Sequence, residues 1–93
     1  MLVASAMVIE YEKNGKECED IFTGKTWALA RMELDERAII LKSRLGFVDE
    51  NGEFWRLRDA PSIACESGQI SEEYRDYLVD NDMALLPSDL WEV

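Results

Sequence analysis

The sequence contains no histidine, only two cysteines, and half as many basic as acidic side chains. Without histidine it has no Ser-His-Asp or Cys-His catalytic group, no imidazole metal ligand and no side chain that ordinarily titrates near pH 7. Cys18 and Cys65 form no CxxC motif, and two thiolates cannot complete a four-ligand zinc site. We therefore expect a protein that is not an enzyme and holds neither a metal nor a cofactor.

Long apolar runs, linkers and repeats are also missing. The apolar start, residues 1–9, ends at Glu10 and has no basic flank, which predicts a strand and not a signal peptide or membrane span. Five Gly and two Pro are too few for a linker, and 47% hydrophobic residues are too many for a disordered acidic chain. We expect one globular domain over residues 1–93, located in the cytoplasm, with reduced thiols and no membrane contact.

The net charge of −10 is concentrated towards the C-terminus. Residues 59–93 contain nine acidic side chains and a single basic one, Arg75, whereas residues 25–58 contain six acidic and seven basic side chains. Charge of this sign repels nucleic acid and anionic membranes and favours basic partner surfaces. An acidic surface that merely keeps a small protein soluble is the competing interpretation.

Residues 7–22 predict a β-hairpin, because two candidate strands flank an Asn-Gly dipeptide at 14–15, which type I′ turns prefer. In a two-residue loop Glu12 faces Glu17, and Glu10 faces Glu19. The apolar side of the hairpin carries Met7, Ile9, Tyr11, Cys18 and Phe22. Like charges directly opposite one another destabilise a ladder, so the glutamates suggest a binding surface. They could equally be a solvated face that prevents edge pairing, and a three-residue loop would remove the pairs.

Apolar residues at helical spacing predict a long helix over residues 25–45. Its stripe consists of Trp27, Ala30, Leu34, Ala38, Leu41 and Leu45. Thr23 or Thr26 would cap its start, and Gly46 stands where a glycine commonly ends a helix.

The second half predicts a hairpin over residues 47–58, with Val48 opposite Trp55 and Asp49 within diagonal reach of Arg56. Residues 62–66 predict a short edge strand. Beyond them a helix capped by Ser71 presents Tyr74, Tyr77 and Leu78 on one face, and short helical turns near the C-terminus dock Leu86, Leu90 and Trp91. The fold class is α+β: a small, mostly antiparallel sheet of two β-hairpins, in the order strand-strand-helix-strand-strand-helix, with helices packed on one face.

Short motifs that resemble ligand-binding loops fail in detail. Residues 23–26 resemble the end of a P-loop, but Glu19 stands where that loop requires its first glycine. Residues 49–52 and 80–82 resemble fragments of calcium loops, but they lack glycine and ligands at the required positions. We therefore predict neither a phosphate-binding loop nor an EF-hand.

A second acidic set lies on the predicted C-terminal helix and comprises Glu72, Glu73, Asp76, Asp80 and Asp82. Glu72, Asp76 and Asp80 are four residues apart, which places successive carboxylates about 6 Å apart on one face. Such a row could stand in for phosphates in a groove lined by Arg and Lys. A purely solvated face would mix both signs, whereas only Arg75 is basic here.

These features predict an acidic binding protein that inhibits a nucleic-acid-handling partner by occupying its basic surface. Small inhibitors from phages and mobile elements mimic nucleic acid in this way, and such a protein would not itself contact nucleic acid. The predicted partner-binding residues are Glu72, Glu73, Asp76, Asp80, Asp82, Glu10, Glu12, Glu17 and Glu19. The alternative is a structural or assembly subunit that self-associates through an apolar interface containing Trp55, Trp91, Phe54 and Tyr77. A monomer and a homodimer therefore both remain open.

Overall fold

The computed structural model describes residues 1–93 as one four-stranded antiparallel sheet with three helices. The elements in chain order are β1 Leu2–Lys13, β2 Lys16–Gly24, α1 Trp27–Met32, β3 Ile39–Asp49, β4 Phe54–Arg56, α2 Ala60–Glu66, α3 Glu72–Asp80 and a 3₁₀ turn Pro87–Asp89. Their order within the sheet is β2-β1-β3-β4. The predicted α+β class is confirmed, but the sequence of elements differs from the predicted one by an additional helix.

β1 lies at the centre of the sheet, between β2 and β3. Residues 5–9 are all buried, so both faces of this strand are covered over that stretch. A strand covered on both faces has no polar side to alternate with its apolar one, which explains the nearly continuous apolar start of the chain. The prediction of a strand here is confirmed.

The first hairpin has the predicted two-residue loop and the predicted register. Asn14 and Gly15 both have positive φ, as a type I′ turn requires. Glu12 is paired with Glu17, and Glu10 with Glu19. The like-charge pairs inferred from the sequence are therefore present in the ladder.

The predicted helix over residues 25–45 is wrong beyond its first turns. α1 ends at Met32, and the carboxylate of Asp35 then forms a turn by accepting the backbone N–H of Arg37 at 2.9 Å and pairing with Lys13 Nζ at 2.9 Å. Residues 39–49 instead form β3, which satisfies the second edge of β1. Long-range pairing with β1 therefore overrides a helical spacing that extends well beyond α1.

The second hairpin exists, but its register is shifted by one residue. Phe47 is opposite Trp55, whereas the sequence predicted Val48 there. Asp49 explains the shift, since its carboxylate accepts the backbone N–H groups of Asn51 and Glu53 at 2.9 and 3.0 Å. It also accepts Trp55 Nε1–H at 2.9 Å. These bonds hold a three-residue loop, and the predicted approach of Asp49 to Arg56 is replaced by an Arg56–Asp59 ion pair at 3.6 Å.

Residues 60–66 form helix α2, which corrects the predicted edge strand at 62–66. Pro61 suits the first turn of a helix, where its missing N–H has no intrahelical acceptor to lose. Ala60 and Ala64, one turn apart, are both fully buried. The helix ends at Ser67, followed by Gly68 with φ +79°, so the predicted stop is confirmed even though the type of element was wrong.

The core lies on the face of the sheet that contacts the helices. One cluster consists of Leu2, Phe47, Ala60, Ala64, Leu78 and Leu85, and a second of Met7, Ile9, Ala30 and Leu34. Leu90 and Trp91 dock on the first cluster as predicted. Leu86 does not, because it is half exposed, and Leu85 occupies the core instead. Trp91 Nε1–H donates to the carbonyl of Lys25 at 2.8 Å and thereby ties the C-terminal segment to the start of α1.

Candidate partner-binding surface

α3 begins where the sequence predicted, with Ser71 as its N-cap. The Ser71 hydroxyl oxygen accepts the backbone N–H of Tyr74 at 3.1 Å. Glu72 and Glu73 occupy the first turn, where the helix dipole favours negative charge. Leu78 is buried in the core and fixes which face of α3 points inwards.

The outward face of α3 carries the predicted acidic row. Glu72, Asp76 and Asp80 follow one another at intervals of one helical turn, all three are exposed, and Glu73 lies beside them. Arg75 is the single basic residue on this helix, and it pairs with Asp76 at 3.0 Å. The α3 acidic face, defined as Glu72, Glu73, Asp76 and Asp80, therefore retains three carboxylates without an ion-pair partner.

Asp82 belongs to the segment after the helix and not to the row itself. It has a positive φ of 51°, directly after Asn81 ends α3. Its carboxylate makes no ion pair, and Asp82 follows Asp80, the last residue of the row, by two positions in the chain. Asp82 therefore extends the acidic surface beyond the helical segment.

Two tyrosines stack beside the acidic face. The rings of Tyr74 and Tyr77 are nearly parallel, with centroids 6.1 Å apart. The Tyr74 hydroxyl donates to Asp89 at 2.9 Å, and this hydrogen bond raises the pKa of Tyr74. Asp89 also accepts the backbone N–H of Leu86, so the tyrosine pair is anchored to the C-terminal 3₁₀ turn.

The hairpin glutamates, defined as Glu10, Glu12, Glu17 and Glu19, lie on the sheet face opposite the helices. Their surroundings differ from the predicted ones, because β3 places basic residues on the same face. Lys42 is directly opposite Glu10, and Arg44 reaches Glu19 at 3.6 Å. This compensation was not predicted, because the helical spacing of residues 25–45 placed both basic residues on a helix. The like charges in the first hairpin are therefore partly neutralised from the other side of β1.

A shallow depression of about 340 Å³ lies on this sheet face. It is lined by Glu10, Glu17, Cys18, Glu19 and Leu41. At the edge of the hairpin the Tyr11 hydroxyl donates to Asp20 at 2.6 Å, which raises the pKa of Tyr11 to about 12. The hairpin glutamates lie on the sheet face opposite the helices, whereas the α3 acidic face lies on a helix. The two predicted acidic sets therefore do not form one continuous site.

The aromatic residues assigned to a possible self-interface are mostly engaged within the molecule. Trp55 and Trp91 pack against the core, and both indole N–H groups have acceptors. The ring of Phe54 lies over Gly46 of β3. Tyr77 is the most accessible of the four, with 46% of its surface exposed.

A groove of mixed polarity, which could not be predicted from the sequence, lies between the start of α2 and the end of α3. It consists of two adjoining hollows of about 220 and 200 Å³. It is lined by the buried side chains of Leu78 and Pro61, by the exposed side chains of Val79 and Met83, and by the charged side chains of Arg58 and Asp82. The helical spacing of α3 places Val79 beside the α3 acidic face. That Val79 also lines a groove could not be predicted, because the groove depends on where α2 packs.

No group of three His, Cys, Asp or Glu side chains is arranged to hold a metal ion. Both cysteines are free thiols. None of the helices has the length and apolar character needed to cross a bilayer. Comparisons of the chain with protein-family models, curated proteins and solved structures find no match.

Proposed function

We propose that this chain is a non-enzymatic acidic binding protein, and that its α3 acidic face occupies the basic surface of a nucleic-acid-handling partner. The observation that carries the proposal is the exposed carboxylate row on a helix whose only basic residue is already paired. A rigid helix holds these charges in fixed positions, so a complementary array of Arg and Lys could bind them without ordering a flexible segment.

The charge density of this face supports nucleic-acid mimicry. Three unpaired carboxylates lie within the nine residues of α3, which span about 12 Å, so the helix presents roughly one uncompensated charge per 4 Å. A single nucleic-acid strand carries about one charge per 3.4 Å of duplex axis. A groove that tracks one phosphate strand would therefore meet a similar linear charge density on α3.

The hairpin glutamates are the weaker part of the predicted surface. Lys42 and Arg44 lie among them, so a basic partner would meet attraction and repulsion on the same face. We assign the main contact to α3 and Asp82 and a secondary contact to Glu10, Glu12, Glu17 and Glu19. This ranking gives each set a distinct outcome under mutation.

The test is capture of the partner from host lysate on immobilised protein, followed by elution in a salt gradient and mass spectrometry. Two variants carry the same change of net charge, from −10 to −6. In the first, Glu72 and Glu73 become Gln and Asp76 and Asp80 become Asn. In the second, the four hairpin glutamates become Gln. We expect the first variant to lose the partner, and the second to retain it with elution at slightly lower salt.

Competition separates mimicry from simple electrostatic attraction. Double-stranded DNA or RNA added to the captured complex should displace the partner if it uses its nucleic-acid site. Retention of the partner at equal salt by the α3 variant would refute the assignment to α3. A basic partner that nucleic acid fails to displace would refute mimicry alone.

The alternative proposal, a self-associating assembly subunit, draws on the open edge of β3. Residues 41–45 are all exposed, and β4 pairs only with the following segment. This edge carries Lys42 and Arg44, and the pairing of β1 with β3 has a register shift between Glu10 and Tyr11. Charged side chains and bulges ordinarily protect an edge from pairing with another chain, so this alternative is the weaker proposal. Light scattering at two salt concentrations distinguishes the proposals, since an oligomer that is insensitive to salt would favour assembly.

A further inference from the structure

We propose that Asn14, in the turn of the first hairpin, is a site of spontaneous modification, at which the side-chain amide is lost through a cyclic imide formed with the backbone nitrogen of Gly15. Asn51 of the second hairpin also precedes a glycine, and the structure assigns it the opposite behaviour, protection from the same reaction. The reacting groups belong to the chain itself, and water is the only co-reactant. The inference concerns neither the α3 acidic face nor its partner, so it stands independently of the proposed function.

The reaction requires the backbone nitrogen after an asparagine to attack the side-chain amide carbon. The Gly15 nitrogen loses its proton to water and forms a bond with Asn14 Cγ. The Cγ–Nδ2 bond then breaks, and the nitrogen leaves as ammonia after taking a proton from water. Water next opens the five-membered imide at one of its two carbonyl carbons, which yields aspartate or isoaspartate. Glycine favours the ring closure because it has no Cβ to hinder the attack, and either product adds one negative charge to the formal net charge of −10.

The backbone N–H of Gly15 is free to react. Asn14 and Gly15 are both exposed in the two-residue turn that joins β1 to β2. The Gly15 N–H donates to no acceptor within the protein. No atom lies within 4 Å of the position that a Cβ of Gly15 would take, so the surroundings leave room for the ring.

The charges around this turn favour loss of the Gly15 proton. Lys13 and Lys16 are directly opposite each other at the end of the ladder, on either side of the turn. Lys13 Nζ contacts Asp35 at 2.9 Å, whereas Lys16 makes no ion pair. A nearby positive charge stabilises the deprotonated form of a neighbouring group. Lys16 therefore supplies uncompensated positive charge beside the reacting nitrogen.

The second Asn-Gly dipeptide has the opposite surroundings. The Gly52 N–H donates to the Asp49 carbonyl at 2.9 Å, and the Asn51 N–H donates to the Asp49 carboxylate at 2.9 Å. The turn must therefore open before the Gly52 nitrogen can react. The Asp49 carboxylate is also buried, and its negative charge disfavours a second negative charge on that nitrogen. Two identical dipeptides thus differ in reactivity because of one carboxylate and the bonds around it.

The two products of Asn14 have different consequences for the hairpin. Aspartate retains the fold, because Asp-Gly suits a type I′ turn as Asn-Gly does. Isoaspartate inserts an additional carbon atom into the backbone, so the turn no longer matches the register that pairs Lys13 with Lys16 and Glu12 with Glu17. Either product places a new carboxylate at the end of the hairpin that carries the hairpin glutamates.

The test follows both asparagines in the intact protein during incubation at mildly alkaline pH, in buffer and in urea. An endoproteinase that cleaves before aspartate releases Asn14 in residues 1–19 and Asn51 in residues 49–58, and mass spectrometry quantifies each conversion. New cleavage before residue 14 identifies the aspartate product, whereas isoaspartate resists cleavage. In the folded protein we expect Asn14 to react at least about tenfold faster than Asn51, because two hydrogen bonds hold the second turn. In urea the two rates should approach each other.

Two variants separate the proposed causes. Asp49→Asn should increase the rate at Asn51, released in this variant within residues 35–58, and leave the rate at Asn14 unchanged. Lys16→Gln should lower the rate at Asn14 and leave Asn51 unchanged. Circular dichroism checks that both variants fold.

Equal rates at the two sites in the folded protein, or a faster reaction at Asn51, would overturn the inference. Conversion of Asn14 in urea but not in buffer would overturn it as well, since the turn itself would then protect Asn14. An unchanged Asn51 rate in folded Asp49→Asn would refute the protection assigned to Asp49.

Discussion

Gly46 of β3 is the position where an added methyl group should disrupt the sheet most clearly. Its φ is not positive, so alanine meets no backbone strain there and would ordinarily stabilise the fold by about 0.4–1 kcal/mol through the unfolded state. The structure predicts the opposite sign. A Cβ at this site would overlap the carbonyl oxygen of Trp55 and come within 2.6 Å of Phe54 Cζ.

The expected cost of Gly46→Ala follows from this overlap. Overpacking typically costs about 1–3 kcal/mol, and the upper part of that range applies because the nearest atom is backbone. For a domain of this size each kcal/mol lowers Tm by about 4–8 °C, so a cost of about 2–3 kcal/mol predicts a decrease of roughly 8–24 °C. Urea denaturation followed by circular dichroism measures the free energy of unfolding directly.

Two further variants make the Gly46 prediction specific. Ser43→Ala adds no clash on the exposed part of the same strand and should change stability by less than about 0.5 kcal/mol. Phe54→Ala combined with Gly46→Ala should restore only part of the loss, because the Trp55 carbonyl remains in place. A Gly46→Ala protein as stable as the wild type would refute the close approach of β3 and β4.

Three further predictions concern hydrogen bonds and ion pairs that link distant segments. Arg37 and Lys13 hold the pKa of Asp35 well below its usual range, so the contribution of this carboxylate to stability is full above about pH 4 and declines below it. Urea titrations should show that the difference in unfolding free energy between wild type and Asp35→Asn shrinks on acidification. Absorbance at 295 nm should show Tyr11 ionising near pH 12, and Asp20→Asn should lower that pKa. Because the pKa of Tyr11 is raised in the folded state, the hydrogen bond from Tyr11 to Asp20 stabilises the protein below pH 10 and is lost as the pH rises towards 12. Trp91→Phe removes the indole N–H and should cost about 1 kcal/mol in urea denaturation, whereas an unchanged stability would contradict the bond to Lys25.

Local signals in the sequence predicted those parts of the fold that local chemistry determines. The Asn-Gly turn determined the first hairpin and its register, and the Ser71 cap determined the start of α3. Asp49 shows the limit of such reasoning, because its three hydrogen bonds convert an apparent two-residue loop into a three-residue one. A side chain that competes for turn N–H groups changes the register without changing the turn residues.

The largest error, a helix over residues 25–45, arose from a real ambiguity in the pattern. Trp27 and Ala30 lie one turn apart on α1, and Leu34 joins the same cluster just after the helix ends, but Leu41 and Leu45 belong to β3. The apolar run of β1 carried a signal that would have corrected this error. A strand buried on both faces requires neighbours on both edges, and β2 supplies only one of them.

The same error explains why only part of the candidate site could be predicted. The like-charge pairs of the first hairpin could be identified because they depend on one turn, but their neutralisation depends on Lys42 and Arg44 arriving from β3. The α3 acidic face differs in this respect, since no other element brings an ion-pair partner to it. Charge along one element is visible in the sequence, whereas its compensation is a property of packing. The uncompensated face is therefore the stronger candidate for a partner surface, and the groove beside it could not be foreseen before the position of α2 was known.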